Sequence, residues 1–230
     1  MNRGKKKKWP IAVGILVVLI LVAYVWTFGT GRIDVQPTVV PGADGTRSIV
    51  VYFTRVGETK AGVDAISAAT PNTNSGNTSM GDTEAAARLI SGVTGADRVQ
   101  LYTARYYRDS FAGTAARALV ERYLNLRPDI VEMPDLAGYD TVYIGYPIWW
   151  FNAPMAVATF LQSADLEGKT VIPFCTSQDN GVEMSMDLIR NSAKGATVLD
   201  GMRLRGATAE TVQSWLNDIG IIAHSWLQSV

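Results

Sequence analysis

Cysteine and histidine are almost missing from this chain, with one of each in 230 residues. A single cysteine, Cys175, excludes an intrachain disulfide and any cysteine-based metal centre. With His224 as the sole histidine, zinc sites and histidine-dependent triads lack their ligands and bases. No catalytic side chain and no metal site are therefore expected, and any chemistry should belong to a bound cofactor. An excess of charge is lacking too, since 21 basic residues face 21 acidic ones. The balance is uneven along the chain. The first thirty residues hold five of the basic residues and no acid, which leaves 16 basic against 21 acidic, a net of −5. That acidic remainder does not suit nucleic acid, and at about two hundred residues it is large enough for one core.

What is present begins with a long apolar run. Residues 1–8 carry Arg3 and four lysines, and residues 9–28 are uncharged and almost unbroken Ile, Val, Leu and Ala. About 20 residues at 1.5 Å each match the roughly 30 Å hydrocarbon core of a bilayer. Trp9 stands at one end and Tyr24 and Trp26 near the other, where amphipathic rings favour the interface. The expectation is a basic cytoplasmic tail (1–8), a single-pass signal anchor in the cell membrane (9–28), a linker (29–47) and an extracytoplasmic domain (48–230). A cleaved signal peptide competes with this, but no Ala-x-Ala-like site precedes Gly31 and no nearby cysteine could take a lipid. The linker, rich in Gly and Pro, reads as a tether that lifts the domain off the membrane.

In the domain, apolar runs alternate with helical patterns. Strands are expected at 48–53, 98–102, from Thr141, at 170–175 and at 197–199. Helices are expected at 115–126, 156–161, 184–192 and 209–219. One more helix should start near Asp82 or Thr83, either of which could cap it. Residues 60–80, mostly Asn, Ser, Thr and Gly in their second half, cannot bury a face and read as a mobile insertion. Alternating strands and helices imply a parallel sheet with right-handed crossovers, and ligands of such sheets sit at the carboxyl ends of the strands.

The chain is organised around TVYIGYPIWWFNAP (141–154). A buried strand is expected to meet Gly145 and Pro147, which should end regular pairing and open a loop. That loop carries Trp149, Trp150 and Phe151. Three consecutive aromatics cannot all enter one core from a short loop, so at least one ring should lie against a ligand or solvent. After the first strand, TRVGET (54–59) suggests a cradle of hydroxyls and backbone N–H groups for a phosphate.

Four motifs stand in order: YFTRVG (52–57), GDTE (81–84), GYPIWW (145–150) and PFCTSQDNG (173–181). Together they resemble a bacterial flavodoxin-like family reading Y-F-S-x-x-G, G-N-T-E, G-x-P-I-W-W and P-F-x-T-x-x-x-x-G. The resemblance implies a three-layer α/β sandwich with a five-stranded parallel sheet in the order 2-1-3-4-5, preceded here by one transmembrane helix. It also implies FMN as cofactor. Thr54, Arg55, Val56 and Gly57 would then meet the phosphate, with Asp82 and Thr83 on its far side. Pro147, Ile148, Trp149, Trp150, Phe151 and Asn152 would wrap the isoalloxazine, and Thr176, Ser177, Gln178 and Gly181 would contact the ring edge or ribityl chain. Two departures matter: Thr54 stands for serine, and Asp82 for an asparagine beside the phosphate, where a carboxylate repels a dianion unless it turns away. The implied function is electron transfer or reduction of a small acceptor, quinone-reductase-like or as a carrier, with a protein or quinone-like redox partner. The alternative is a flavin-free binding or scaffold module at the cell surface.

Overall fold

The computed structural model describes residues 9–43, 45–55 and 81–222. The expected insertion at 60–80 lies outside the described residues, as do Val56 and Gly57. The elements in chain order are α1 (Trp9–Phe28), β1 (Ser48–Phe53), α2 (Asp82–Thr94), β2 (Asp97–Leu101), α3 (Phe111–Tyr123), β3 (Thr141–Pro147), α4 (Met155–Ser163), β4 (Thr170–Thr176), α5 (Met186–Ser192), β5 (Thr197–Val198), β6 (Met202–Arg203) and α6 (Ala209–Asp218). The sheet is parallel, in the order β2-β1-β3-β4-β5, with β6 also on β4.

Strand alternation explains the three layers. In β1, Ile49, Val51 and Phe53 join Val142, Ile144 and Tyr146 of β3 beneath α3, α4 and α5. Val50 and Tyr52 point the other way, with Tyr143, Ile172 and Phe174, beneath α2 and α6. Both faces are covered, so β1 and β3 read as unbroken apolar runs rather than alternating ones. Each such side chain fully buried contributes about 1.5–3 kcal/mol.

Three expectations change. Gly145 and Pro147 do not end pairing, because β3 continues beside β4 to the Pro147–Thr176 pair. Gly145 instead makes room for a ring, since a Cβ there would lie 2.1 Å from Phe174. The single fifth strand is two short ones. Leu199 N–H donates to Val171 O (3.0 Å) and Leu204 N–H to Cys175 O (2.9 Å), so Val171 and Cys175 face this edge. Pro173, between them, faces it as well with no N–H to give, and pairing lapses there. Finally, α3 begins a turn earlier than expected, because Ser110 accepts a hydrogen bond from Gly113 N–H and caps it.

The linker is a strap rather than a free tether. Val40 pairs with Arg98 through two hydrogen bonds (2.7 and 2.9 Å), and Ile33 N–H donates to Ala104 O (3.2 Å). It therefore covers the outer edge of β2, which would otherwise expose a row of unpaired backbone groups. It also brings the end of α1 to the loop that leaves the carboxyl end of β2. There Arg108 lies over the Trp26 ring (5.0 Å), and Arg117 of α3 lies over Phe28 (6.0 Å). From Val13 to Trp26 the large apolar side chains of α1 are 44–62% exposed. Among the described residues no helix is long and apolar enough to cross a membrane; the described side chains of α1 begin at Val13 and cover only part of it.

Candidate ligand site at the carboxyl edge

Gly81 occupies the N-cap position of α2 in an extended conformation (φ −79°, ψ 161°), and no side chain caps the helix. The expected cap by Asp82 or Thr83 is therefore corrected: both residues lie inside the first turn. Thr83 is fully buried, and its hydroxyl meets that of Thr176 at 2.7 Å, tying the helix to the end of β4. Asp82 turns to Arg205, whose Nε donates to its carboxylate at 2.9 Å. Gly81 brings no side-chain acceptor to the first-turn N–H groups of α2, and with the positive end of the helix dipole such groups suit an anion. Thr54, at the end of β1, is fully buried.

Arg55 takes a different part from the one expected. Its side chain is buried, donating from Nε to the Thr114 hydroxyl (3.1 Å) and from Nη2 to the Asp109 and Arg108 carbonyls (2.7 and 3.4 Å). The guanidinium clamps the loop ahead of α3.

The aromatic loop divides its rings. Ile148 N–H donates to Thr176 O (3.0 Å), carrying the β3–β4 pairing one step past the sheet. Trp149 is 2% exposed, edge-on to Phe53 (5.4 Å) and Tyr107 (5.1 Å). It packs in the core. Trp149 and Asn152 exchange backbone hydrogen bonds (2.8 and 3.1 Å) across a two-residue turn. Both central residues have positive φ, Trp150 at 51° and Phe151 at 61°. Such mirror-image turns ordinarily take Asn-Gly, and each side chain forced into the left-handed region costs about 1–2 kcal/mol. The turn presents both rings outward, Trp150 at 38% and Phe151 at 56% exposure. Trp150 is pinned through its indole N–H to Ala115 O (2.9 Å). Strain of this kind gathers at ligand sites.

After β4 the chain turns across the same edge. Ser177 Oγ accepts from Asn180 N–H (3.1 Å), while Arg203 Nη1 donates to the carbonyls of Ser177 and Gln178 (both 3.2 Å). A Cβ at Gly181 would lie 2.0 Å from the Glu183 carboxylate, which would have to swing aside. Burial pushes the Cys175 thiol up to about 12. Native protein is therefore expected to resist thiol reagents at neutral pH and to react once unfolded. Labelling of native protein at the rate of a free thiol would show that Cys175 is reachable.

Behind Trp149 lies a buried network absent from the sequence-based expectations. Arg117 Nε donates to Glu121 (2.7 Å), the Tyr107 hydroxyl donates to the other carboxylate oxygen (2.7 Å), and Arg117 Nη1 donates to the carbonyls of Arg105 and Tyr106 (2.9 and 2.8 Å). The i, i+4 spacing of Arg117 and Glu121 was its one visible signal. Where α1 meets α3, a cavity of about 500 Å³ is lined by Tyr24, Phe28, Arg105 and Arg127, among others, and it shares no residue with the expected site.

The sequence profile described as Flavodoxin matches residues 75–219, more than half of the chain. The chain belongs to the flavodoxin family. This flavodoxin-family protein is similar to the crystal structure of a candidate flavoprotein from Bacteroides eggerthii DSM 20697, with 25% identity over 77% of this chain and 100% of that one and a TM-score of 0.62. A second candidate flavoprotein, from Bacteroides uniformis ATCC 8492, shares 29% identity over 76% of this chain and 99% of the other, with a TM-score of 0.58. A flavoprotein in complex with FMN from Lactobacillus acidophilus NCFM has a TM-score of 0.53 at 16% identity, covering 76% and 99%; that likeness is one of fold. Comparison with curated proteins gives no match. In the flavodoxin-family chain Thr54, Pro147 and Thr176 stand at the carboxyl ends of β1, β3 and β4 and Asp82 and Thr83 at the start of α2, while Trp149 is in the core and the Arg55 guanidinium holds the loop before α3.

Proposed function

We propose that the protein binds FMN at the carboxyl edge of its sheet and serves in electron transfer, held to the membrane by α1. The reading is carried by one juxtaposition: an uncapped helix start and a strained turn bearing two outward rings lie along the same sheet edge. The residues present fit such a group. The first-turn N–H groups of α2 and the Thr54 hydroxyl suit the phosphate, Phe151 and Trp150 offer flat faces to a planar ring, and Ser177, Gln178 and Gly181 supply backbone groups beside it. FMN, when bound, accepts and donates the electrons; the chain's residues hold and orient it and keep one aromatic wall dry. The FMN complex of the Lactobacillus fold relative supports the cofactor, and the GYPIWW motif supports a narrower subgroup within the family.

The anchor rests on the uncharged α1, with its basic preceding residues and its interfacial Tyr24 and Trp26. Because the strap returns the end of α1 to the loop leaving β2, the site would be held close to the bilayer. Its redox partner, a protein or a quinone-like small molecule, would be met there. The flavin-free alternative leaned on Asp82, on the Asn/Ser/Thr-rich insertion and on the exported location; pairing of the Asp82 carboxylate with Arg205 weakens the first of these.

The test is a visible spectrum of the full chain after FMN is added and the excess removed. Retained bands near about 370 and 450 nm, the cofactor's own, are expected. A colourless protein that leaves flavin fluorescence unquenched at micromolar concentrations would favour the binding-module reading.

A further inference from the structure

We propose that Arg205 is the residue that makes this acidic helix start compatible with a phosphate, and so sets preference for a phosphorylated flavin; the inference rests on the FMN reading above. Asp82 stands in the first turn of α2, directly after the uncapped Gly81. Alone, its carboxylate would place a negative charge where the helix otherwise attracts an anion, and would oppose a phosphate dianion. It is not alone. Arg205 reaches it from the segment after β6, 123 residues away in sequence, with Nε 2.9 Å from Oδ2.

The segment that delivers Arg205 is built for this edge. Leu204 is 1% exposed and anchored through its N–H to Cys175 O, so the residues on either side of it project away from the core. Arg203 holds the carbonyls of Ser177 and Gln178 in the loop after β4, and Arg205 holds Asp82. Two alternate arginines thus tie the start of α2 to the loop after β4 and bring positive charge to both. With one guanidinium hydrogen bond spent on Asp82, the pair is neutral overall, and the helix donors act without an opposing charge. Arg205 is a positioning residue in this scheme: it works by holding and cancelling Asp82.

The experiment measures FMN and riboflavin affinity by quenching of flavin fluorescence, using the full chain, Arg205→Gln, Asp82→Asn and the double variant. Riboflavin has the same ring and ribityl chain without the phosphate. Arg205→Gln is expected to weaken FMN about tenfold, the equivalent of about 1.4 kcal/mol, and to change riboflavin less than about twofold. The FMN loss should shrink as salt is raised. Asp82→Asn should tighten FMN a few-fold, and adding it to Arg205→Gln should restore affinity to within about threefold of the unaltered chain. A merely structural role would weaken both flavins alike and would not be rescued by Asp82→Asn; that outcome overturns the assignment, as does no change in FMN affinity. If the unaltered chain binds neither flavin, the FMN reading fails and this assignment fails with it.

Discussion

Trp149→Ala is expected to cost the protein about 3–5 kcal/mol of stability, whereas Phe151→Gly, two residues on, should leave it more stable. The two aromatics occupy opposite sides of one turn. Trp149 fills the core against Phe53 and Tyr107, and its removal leaves a cavity those rings cannot close. Phe151 is more than half exposed and sits at positive φ, so its side chain buries little and strains the backbone. Glycine removes a left-handed penalty of about 1–2 kcal/mol and adds about 0.4–1 kcal/mol of unfolded-state entropy, a net gain of about 1 kcal/mol. The same change should weaken FMN by several-fold, since one stacked ring is worth about 0.5–1.5 kcal/mol. Denaturant unfolding and a flavin titration of both variants check this. Loss of less than about 1 kcal/mol for Trp149→Ala, or FMN affinity unaffected by Phe151→Gly, would contradict the division of the loop.

Arg117→Ala is expected to be nearly as severe. It strands Glu121, whose side chain is 2% exposed, and breaking one half of a buried pair costs about 3–5 kcal/mol. It also frees the carbonyls of Arg105 and Tyr106 and loosens the Tyr107 ring on which Arg117 lies at 3.9 Å. Burial pushes the Glu121 carboxyl up, and Arg117 and Tyr107 pull it down. Without Arg117 the folded-state value rises further. A carboxyl raised on folding contributes stability below its unfolded value, about 4.3, and loses that contribution as pH rises through the folded value. The loss should therefore be larger at pH 7 than near pH 4.5, and Arg117→Met with Glu121→Leu should recover most of it. Denaturant unfolding at both pH values would show this; a small loss independent of pH would mean the pair is not held dry.

The layers were legible because their causes are local. The apolar run of β1 and the alternation of strand and helix need no distant information, and the four-motif order carried the sheet topology. The divided loop was half legible: three aromatics could not all be buried, but only packing against Tyr107, from the loop before α3, shows that Trp149 is the inward one. The side-chain partners of Arg55 and Asp82 were not legible for one reason. Each is a charged side chain whose hydrogen-bond partners are far away in sequence, the Asp109 carbonyl and Thr114 hydroxyl for the first and Arg205 for the second. The strap was read as a spacer because its Gly and Pro content is that of a linker, while its pairing with Arg98 depends on β2 being an edge. The break in the fifth strand was visible in principle at Pro173, had the side of β4 it faces been known.

Amide hydrogen exchange of the full chain with and without saturating FMN tests the central claim most directly. Slowing is expected in at least three separate segments, 82–84, 148–152 and 177–181. Unchanged exchange in all three, or slowing confined to the cavity between α1 and α3, would contradict a flavin site at the carboxyl edge.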